Sequence, residues 1–250
     1  MLDAVELVHA DQAPGIAHLS PGGPGDLGFP VGQTTAGALE GVWADEVEDV
    51  SVFRGVAFAR PPVGDRRWRP PDPVESWDGT RMATEFGPAC WQARNSDNSP
   101  YARGELPRSE DCLTLNVWTP AQDPSDRLPV MVWFHGGGHS SGVGSAKIFD
   151  GTAMARKGVL MVTANYRLGP LGFLAHPALS AESTHGASGN YGILDHVATL
   201  QWVRDNIAAF GGDPSNVTIF GQSAGSWSVC ALQASPLADG LFHKAIGHSG

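Results

Sequence analysis

The sequence VTIFGQSAG occupies residues 217–225 and joins a strand-like run to a helix-like run. Residues 217–220 are apolar and partly β-branched, which favours a strand, and the residues after Gly225 favour a helix. Glycine at 221 and 225 permits a sharp turn between the two elements. A serine at the centre of such a turn projects its hydroxyl over the helix N-terminus. Ser223 is therefore a candidate nucleophile, with an ordinary helix cap as the alternative.

The same Gly-x-Ser-x-Gly pattern also occurs at residues 138–142, around Ser140. The pattern alone is weak evidence because the chain contains 32 glycines. Ser140 follows a strand-like run but has no clear helix behind it, so we interpret it as a loop hydroxyl. The strand, turn and helix around Ser223 make that serine the stronger candidate.

Apolar runs on both sides of this turn predict the fold class. The runs at 130–134 and 159–164 are continuously apolar, which indicates strands covered on both faces. Residues 194–210 have apolar residues at three- and four-residue steps and predict a helix ended by the Gly-Gly-Asp-Pro turn that follows. Further elements are predicted as strands at 50–54 and 113–118 and helices at 151–157 and 226–233. This order indicates an α/β fold with a mainly parallel sheet and helices on both faces.

A glycine run follows the predicted strand at 130–134. Residues 135–138 read His-Gly-Gly-Gly. An acyl-transfer site needs preorganised N–H donors for the developing oxyanion, and glycines allow bare backbone to approach a substrate. A flexible loop is the alternative for this run alone. In combination with the turn around Ser223, it predicts an oxyanion-binding loop.

Composition limits the other function classes. The chain has 250 residues, 42% of them hydrophobic, and a net charge of −10. A chain with this negative charge is a poor nucleic-acid binder, because affinity for nucleic acids comes mainly from Lys and Arg on the phosphates. No apolar run in the sequence reaches the ~18–20 residues that a membrane span needs. The Pro- and Gly-rich residues 1–32 predict a flexible N-terminal extension, and 33–250 the folded domain. We see no secretory-signal pattern, which slightly favours the cytoplasm and leaves secretion open.

Several motifs in order now point to a known family. They lie at residues 53–64, 109–117, 135–138, 165–169, 189–192, 210–214 and 217–225. From about Gly32 to Gly250 the chain resembles type-B carboxylesterases, the group that includes cholinesterases and bacterial carboxylesterases. The resemblance implies an α/β-hydrolase fold and hydrolysis of small-molecule carboxylic esters through an acyl-enzyme.

The resemblance also implies roles for particular residues. Ser223 would attack the ester carbonyl, and the oxyanion would accept hydrogen bonds from the backbone N–H groups of Gly137, Gly138 and Ala224. Cys90 and Cys112 would form a disulfide, with two free thiols as the alternative in a reducing compartment. The implied ion pairs are Arg67–Glu110 and Arg167–Asp195. We expect no metal and no organic cofactor, because the sequence contains no ligand cluster and no phosphate-binding loop.

Some positions depart from the family pattern. Gln222 stands where cholinesterases have glutamate, and the segment between Cys90 and Cys112 carries Trp91 and Tyr101 but no tryptophan in its second half. A quaternary-ammonium substrate is therefore disfavoured.

Three further residues are expected to have no catalytic role. We expect His139, with Gln222, to line the substrate pocket. His196 stands where the family usually has glutamine. For His139 and His196 we favour packing or surface roles over catalysis. We expect Cys230 to be a buried core residue.

The acid and histidine of the family's triad lie far downstream of the nucleophile, and this sequence ends at Gly250. We expect none of its histidines, His248 included, to serve as the base. Three hypotheses follow: the N-terminal part of a longer esterase, a chain completed by a second chain, or a non-catalytic binding module. The third is disfavoured because a binding module would not require Ser223 and the oxyanion glycines.

Overall fold

The computed structural model describes residues 30–47, 49–93 and 107–250. In chain order the strands are β1 (Val31–Gln33), β2 (Ala38–Glu40), β3 (Val42–Trp43), β4 (Ser51–Ala57), β5 (Thr80–Met82), β6 (Ala89–Cys90), β7 (Arg108–Ser109), β8 (Thr114–Thr119), β9 (Leu128–Phe134), β10 (Leu160–Ala164), β11 (Gly212–Gln222) and β12 (Lys244–His248). The α-helices are α1 (Thr152–Ala155), α2 (Gly169–Phe173), α3 (Pro177–Glu182), α4 (Tyr191–Asn206) and α5 (Ala224–Ala234). Short 3-10 helices span Gly64–Arg66, Pro124–Asp126, Lys147–Phe149, Ile207–Phe210 and Pro236–Ala238.

A seven-stranded sheet forms the centre of the described structure, in the order β12-β11-β9-β10-β8-β4-β3. The four strands β12, β11, β9 and β10 are mutually parallel. The strands β8, β4 and β3 each run antiparallel to their neighbours. The predicted α/β class with a mainly parallel sheet is confirmed, and the antiparallel strands come from the N-terminal part of the chain.

The central strand β9 is covered on both faces, as its continuous apolar sequence predicts. Val130, Val132 and Phe134 point to one face, and Met131 and Trp133 point to the other, because successive side chains of a strand alternate. Helices α4 and α5 supply side chains to the first core, and α1 supplies one to the second. The sheet therefore separates two apolar cores, with helices on both faces.

Helix α4 begins at Tyr191 and is anchored by a buried ion pair to the segment that follows β10. The guanidinium of Arg167 lies 2.7 Å from the carboxylate of Asp195, and both side chains are almost fully buried. The chain continues as a 3-10 turn to Phe210 and ends where Gly211 adopts a left-handed φ of 78°. The predicted helix at 194–210 thus corresponds to α4 and this turn. The implied Arg67–Glu110 ion pair is also present, at 2.6 Å.

Strand β11 is longer than predicted, and one prediction on α5 is wrong. The strand begins at Gly212 rather than Val217, with a register irregularity between the two. Cys230 is exposed, although we expected it in the core. It lies three residues after the exposed Trp227, on the same outer face of α5. A cysteine's apolar character does not tell which face of a helix it occupies.

The implied disulfide between Cys90 and Cys112 is present. Tyr101 lies outside the described residues, as do residues 1–29 of the predicted N-terminal extension. The last residues of that predicted extension, Val31 and Gly32, belong to β1. No helix of the described ranges is long and apolar enough to cross a membrane.

Candidate active site

The register of β9 and β11 brings two loops together. Phe134, the last residue of β9, is paired with Gly221, one residue before the end of β11. The strands are parallel and adjacent, so the loops that follow them leave the same edge of the sheet side by side. One loop is the glycine run beginning at His135, and the other is the turn that contains Ser223. The fold therefore brings the two predicted parts of the site together.

Ser223 occupies the turn between β11 and α5 in a strained backbone conformation. Its φ is 55° and its ψ is −124°, a region that residues other than glycine rarely adopt. Its N–H donates to the carbonyl oxygen of His248 at 2.9 Å, and its own carbonyl accepts from the N–H of Ser226. Ser223 stands at the N-cap position, but its side chain makes no capping hydrogen bond. The Ser223 hydroxyl therefore does not cap α5, which is what the alternative interpretation of this serine requires.

The glycines around Ser223 are required by close backbone approach. A Cβ built on Gly225 would overlap the carbonyl oxygen of Phe134. A Cβ built on Gly136 would lie 2.6 Å from the carbonyl oxygen of Gln222 and 3.2 Å from the Cβ of Ser223. Both distances are shorter than ordinary van der Waals contacts. The glycine loop and the serine turn therefore pack backbone against backbone, with no room for side chains between them.

The glycine loop is held through the carbonyl of Gly137. That oxygen accepts hydrogen bonds from the N–H groups of Ser140 and Ser141, at 3.1 and 3.0 Å. The hydroxyl of Ser140 donates to the same oxygen, so this serine braces the loop. Gly137 and Gly138 both have positive φ, 114° and 62°. Within the described ranges, the N–H groups of Gly137, Gly138 and Ala224 donate to no protein acceptor.

Gln92 fastens the far end of this loop. Its side-chain amide donates to the carbonyl oxygen of Gly142 and accepts from the N–H of Gly142, both at 2.7 Å. The same amide group donates to the carbonyl oxygen of Cys90, two residues earlier. The disulfide and the glycine loop are therefore joined by one side chain.

Three histidines lie beneath and beside the glycine loop. His135 is buried and stacks on Tyr166, whose hydroxyl donates to the carbonyl oxygen of His135. The ring of Tyr166 also contacts His196, which is fully buried. Burial lowers the pKa of His135 to about 4, lowers the pKa of His139, and lowers that of His196 well below its usual range. All three rings are neutral at pH 7.

None of these histidines contacts the Ser223 hydroxyl. In the described part of the chain, no imidazole or carboxylate is hydrogen-bonded to that oxygen. His248 contributes its backbone carbonyl to the turn, while its ring lies beside Trp133 and Phe220. Among the described residues, the site brings together Ser223, the glycine loop and Ala224, but no base at the Ser223 hydroxyl.

Sequence reasoning missed two residues of the site region, Gln92 and Ser228. Ser228 is fully buried in α5, and its hydroxyl lies within 3.1 Å of ring nitrogens of both His139 and His196. The available signal was a small polar residue on the inner face of α5, where Ser226 is the other buried serine. His139, interpreted as a packing or surface residue, is half-buried and contacts the backbone of Ala224. His196 is buried in packing, as that interpretation allowed.

Comparison with known proteins identifies the family. The model of the Carboxylesterase family matches residues 29–250. This chain belongs to the carboxylesterase family. Proteins similar to it include the fumonisin B1 esterase of Sphingopyxis macrogoltabida, 51% identical over 86% of this chain and 39% of that protein. The para-nitrobenzyl esterase of Bacillus subtilis is 50% identical over 80% of this chain and 40% of that protein.

Solved structures of the carboxylesterase family show the same fold. A PNB esterase superimposes with a TM-score of 0.79 at 44% identity, covering 87% of this chain and 43% of that one. Carboxylesterase EST55 of Geobacillus stearothermophilus gives a TM-score of 0.78 at 46% identity, and the match covers 88% of this chain and 43% of that one. The described structure thus has the α/β-hydrolase fold. The chain spans about two fifths of the length of the curated relatives it matches.

Proposed function

We propose that this chain carries the nucleophile and the oxyanion hole of a carboxylic-ester hydrolase. The observation that carries the proposal is the position of Ser223. It lies in a strained turn at the carboxyl end of β11, with its hydroxyl uncommitted and its Cβ against the glycine loop. Such strain is typical of functional sites. The names of the relatives, which are esterases, support esters as the substrate class.

In the proposed reaction, the oxygen of Ser223 bonds to the ester carbonyl carbon while its proton passes to a general base. The carbonyl oxygen becomes an oxyanion that accepts hydrogen bonds from the N–H groups of Gly137, Gly138 and Ala224. Each donor contributes roughly 3–4 kcal/mol of transition-state stabilisation. The base returns the proton to the departing alcohol, and water then releases the acid from the acyl-enzyme. Gln222 and His139 border the position of the acyl group.

The general base and its acidic partner are, in this proposal, not among the described residues. The support is that no imidazole or carboxylate of the described ranges bonds to the Ser223 hydroxyl. The relatives are also much longer than this chain. A further segment or a second chain would supply both groups. Without a base and its acidic partner, the oxyanion hole and substrate binding alone would still accelerate ester hydrolysis roughly 10³–10⁴-fold over the reaction in water.

The proposal can be tested by intact-protein mass spectrometry with a fluorophosphonate probe, with and without added imidazole as a substitute base. We expect one slow adduct, accelerated by imidazole. It should be absent in Ser223→Ala and retained in Ser140→Ala, the matched control in the other Gly-x-Ser-x-Gly motif. An adduct that persists in Ser223→Ala would exclude Ser223 as the nucleophile. Absence of any adduct with imidazole present would contradict the proposal and favour a binding module.

A further inference from the structure

A chain of three side chains connects the glycine loop with α5 and α4. The Nε2 atom of His139 lies 2.9 Å from the carbonyl oxygen of Ala224 and 3.0 Å from the hydroxyl of Ser228. That hydroxyl lies 3.1 Å from Nε2 of His196. Ser228 and His196 are fully buried. Three separate elements are therefore joined beside the backbone of Ala224, the residue after Ser223.

The direction of the first of these hydrogen bonds follows from the groups involved. A carbonyl oxygen only accepts, so Nε2 of His139 carries a proton and donates to Ala224. The Ser228 hydroxyl lies within hydrogen-bond distance of the same nitrogen and of Nε2 of His196, and the tautomer of His196 sets the direction of that last bond. The other ring nitrogen of His196, Nδ1, is buried and has no partner among the described residues.

The backbone and ring of His139 are fixed from other sides as well. Its φ of 54° is left-handed, which is uncommon for a residue with a side chain. The N–H of Gly169 donates to its carbonyl oxygen at 2.7 Å. Its ring stacks on Phe173, with the centroids 4.7 Å apart. An unfavourable conformation persists only where surrounding contacts determine it, and these contacts do so.

The contact with Ala224 lies next to a proposed oxyanion donor. The N–H of Ala224 would bind the oxyanion from α5, and those of Gly137 and Gly138 from the glycine loop. These donors act together only if loop and helix keep a fixed separation. His139 is the residue directly after Gly138, and it bonds to the carbonyl of Ala224 itself. A side chain in this position sets the distance between the two halves of the oxyanion hole.

We propose that His139 is a positioning residue for the oxyanion hole and that the carbonyl of Ala224 holds it as the Nε2–H tautomer. This inference rests on the proposed function and deepens it. A misplacement of about 1 Å in an active site can cost on the order of 10²-fold in rate. Loss of the His139 donor therefore lowers the rate of acylation of Ser223 more than it changes substrate affinity.

Two substitutions at His139 separate the donor from the ring. His139→Phe keeps a flat ring for stacking on Phe173 and removes the donor, whereas His139→Gln keeps a terminal N–H donor. In the imidazole-supported fluorophosphonate reaction, the serine oxygen bonds to phosphorus and fluoride leaves, and we expect His139→Phe to lower the maximal rate of this phosphonylation 10- to 100-fold. The half-saturating probe concentration should change less than threefold. His139→Gln should recover the rate to within about threefold of wild type. His185→Phe, at an exposed histidine, is the matched control.

A spectroscopic readout tests the same inference independently of activity. Long-range ¹H–¹⁵N correlation spectra of the labelled chain should show His139 as the Nε2–H tautomer at pH 7. The amide signals of Gly137, Gly138 and Ala224 should shift in His139→Phe and return in His139→Gln.

The two readouts distinguish the possible failures. If Ser223→Ala reacts like wild type, the proposed function fails, and the amide signals alone still decide the positioning role. If those signals do not move in His139→Phe, or if His139 carries its proton on Nδ1, the inference is wrong whatever the rates. The inference is also overturned if the phosphonylation rate is unchanged in His139→Phe while the reaction still depends on Ser223.

Discussion

The N–H of Ser223 donates to the carbonyl oxygen of His248 at 2.9 Å, which ties the serine turn to the neighbouring strand β12. On its other side, the turn meets the glycine loop that follows β9. The left-handed backbone of Ser223 is therefore braced from two adjacent strands. This bracing explains how a residue with a side chain keeps a conformation that costs of order 1–3 kcal/mol.

Gly225→Ala should destabilise the chain by about 1–3 kcal/mol. At an unhindered helix position, alanine stabilises a helix by about 1 kcal/mol relative to glycine. At position 225, however, the alanine Cβ would overlap the carbonyl oxygen of Phe134. Urea unfolding measures the difference. Gly186→Ala is the control: its φ is 64°, and within the described ranges no atom lies within 4 Å of the added Cβ. It should cost only about 1–2 kcal/mol. A larger loss in Gly186→Ala than in Gly225→Ala would contradict the packing argument.

The free energy of unfolding should decrease as the pH is lowered from about 6.5 to about 4. The folded chain keeps His135 neutral down to a pKa of about 4. An unfolded chain binds a proton at the same ring near pH 6.5, so it holds more protons throughout this window, and the free energy of unfolding decreases. His135 alone accounts for roughly 3 kcal/mol at the lower end of the window. His139 and His196 act in the same direction.

Urea titrations at several pH values between 4.5 and 7.5 would measure this slope. We expect His196→Gln to reduce it, because the substitution removes one buried group that the unfolded chain protonates. His185→Gln, at an exposed histidine, should leave the slope unchanged. Equal slopes in wild type and His196→Gln would show that His196 does not contribute as expected.

Asp195→Asn should cost about 3–5 kcal/mol, because it leaves the buried guanidinium of Arg167 without its counter-charge. The measurement is again the free energy of unfolding. Glu75→Gln is the matched control, since it breaks the Arg60–Glu75 ion pair, whose side chains are 37% and 73% exposed. Exposed pairs contribute about 0–1 kcal/mol. Similar losses in both variants would contradict the assignment of Arg167–Asp195 as a structural anchor.

Replacing Cys90 and Cys112 together with alanine should lower stability by about 3 kcal/mol, the value expected for a crosslink of this span. The two residues are 22 positions apart. Adding a thiol-free reductant to the wild type should give a similar loss, measured by thermal melting. Cys230→Ser should change little, because that thiol is free and exposed. Sensitivity to reductant in the double alanine variant would point to a different origin of the effect.

The elements around the sheet could be predicted because their sequences carry a strong local signal. The apolar runs of β9 and β10 are covered on both faces, and the glycine pattern around Ser223 fits only a close backbone approach. The small strands β1, β2, β5, β6 and β7 were not predicted. They have two or three residues each, too few for a period-two pattern to show.

The network of His139, Ser228 and His196 could not be predicted for a different reason. The three residues lie far apart in sequence, on the glycine loop, α5 and α4, and only the packing of these elements brings them together. A histidine in isolation gives no information about its partners. Cys230 illustrates the same limit, because its face of α5 depends on what the helix packs against. Local sequence predicted the elements, but not the contacts between them.

The order of strands in the central sheet has a consequence for synthesis. The strands β4, β8, β10 and β9 occupy consecutive places in the sheet and all precede β11 in the chain. A chain that leaves the ribosome from its N-terminus can therefore present β9 as an edge before residue 222 has been made. The glycine loop after β9 would then be in place before the serine turn is made. Ser223 would dock its strained backbone against that loop first, and the carbonyl of His248 would complete the bracing once β12 has been made.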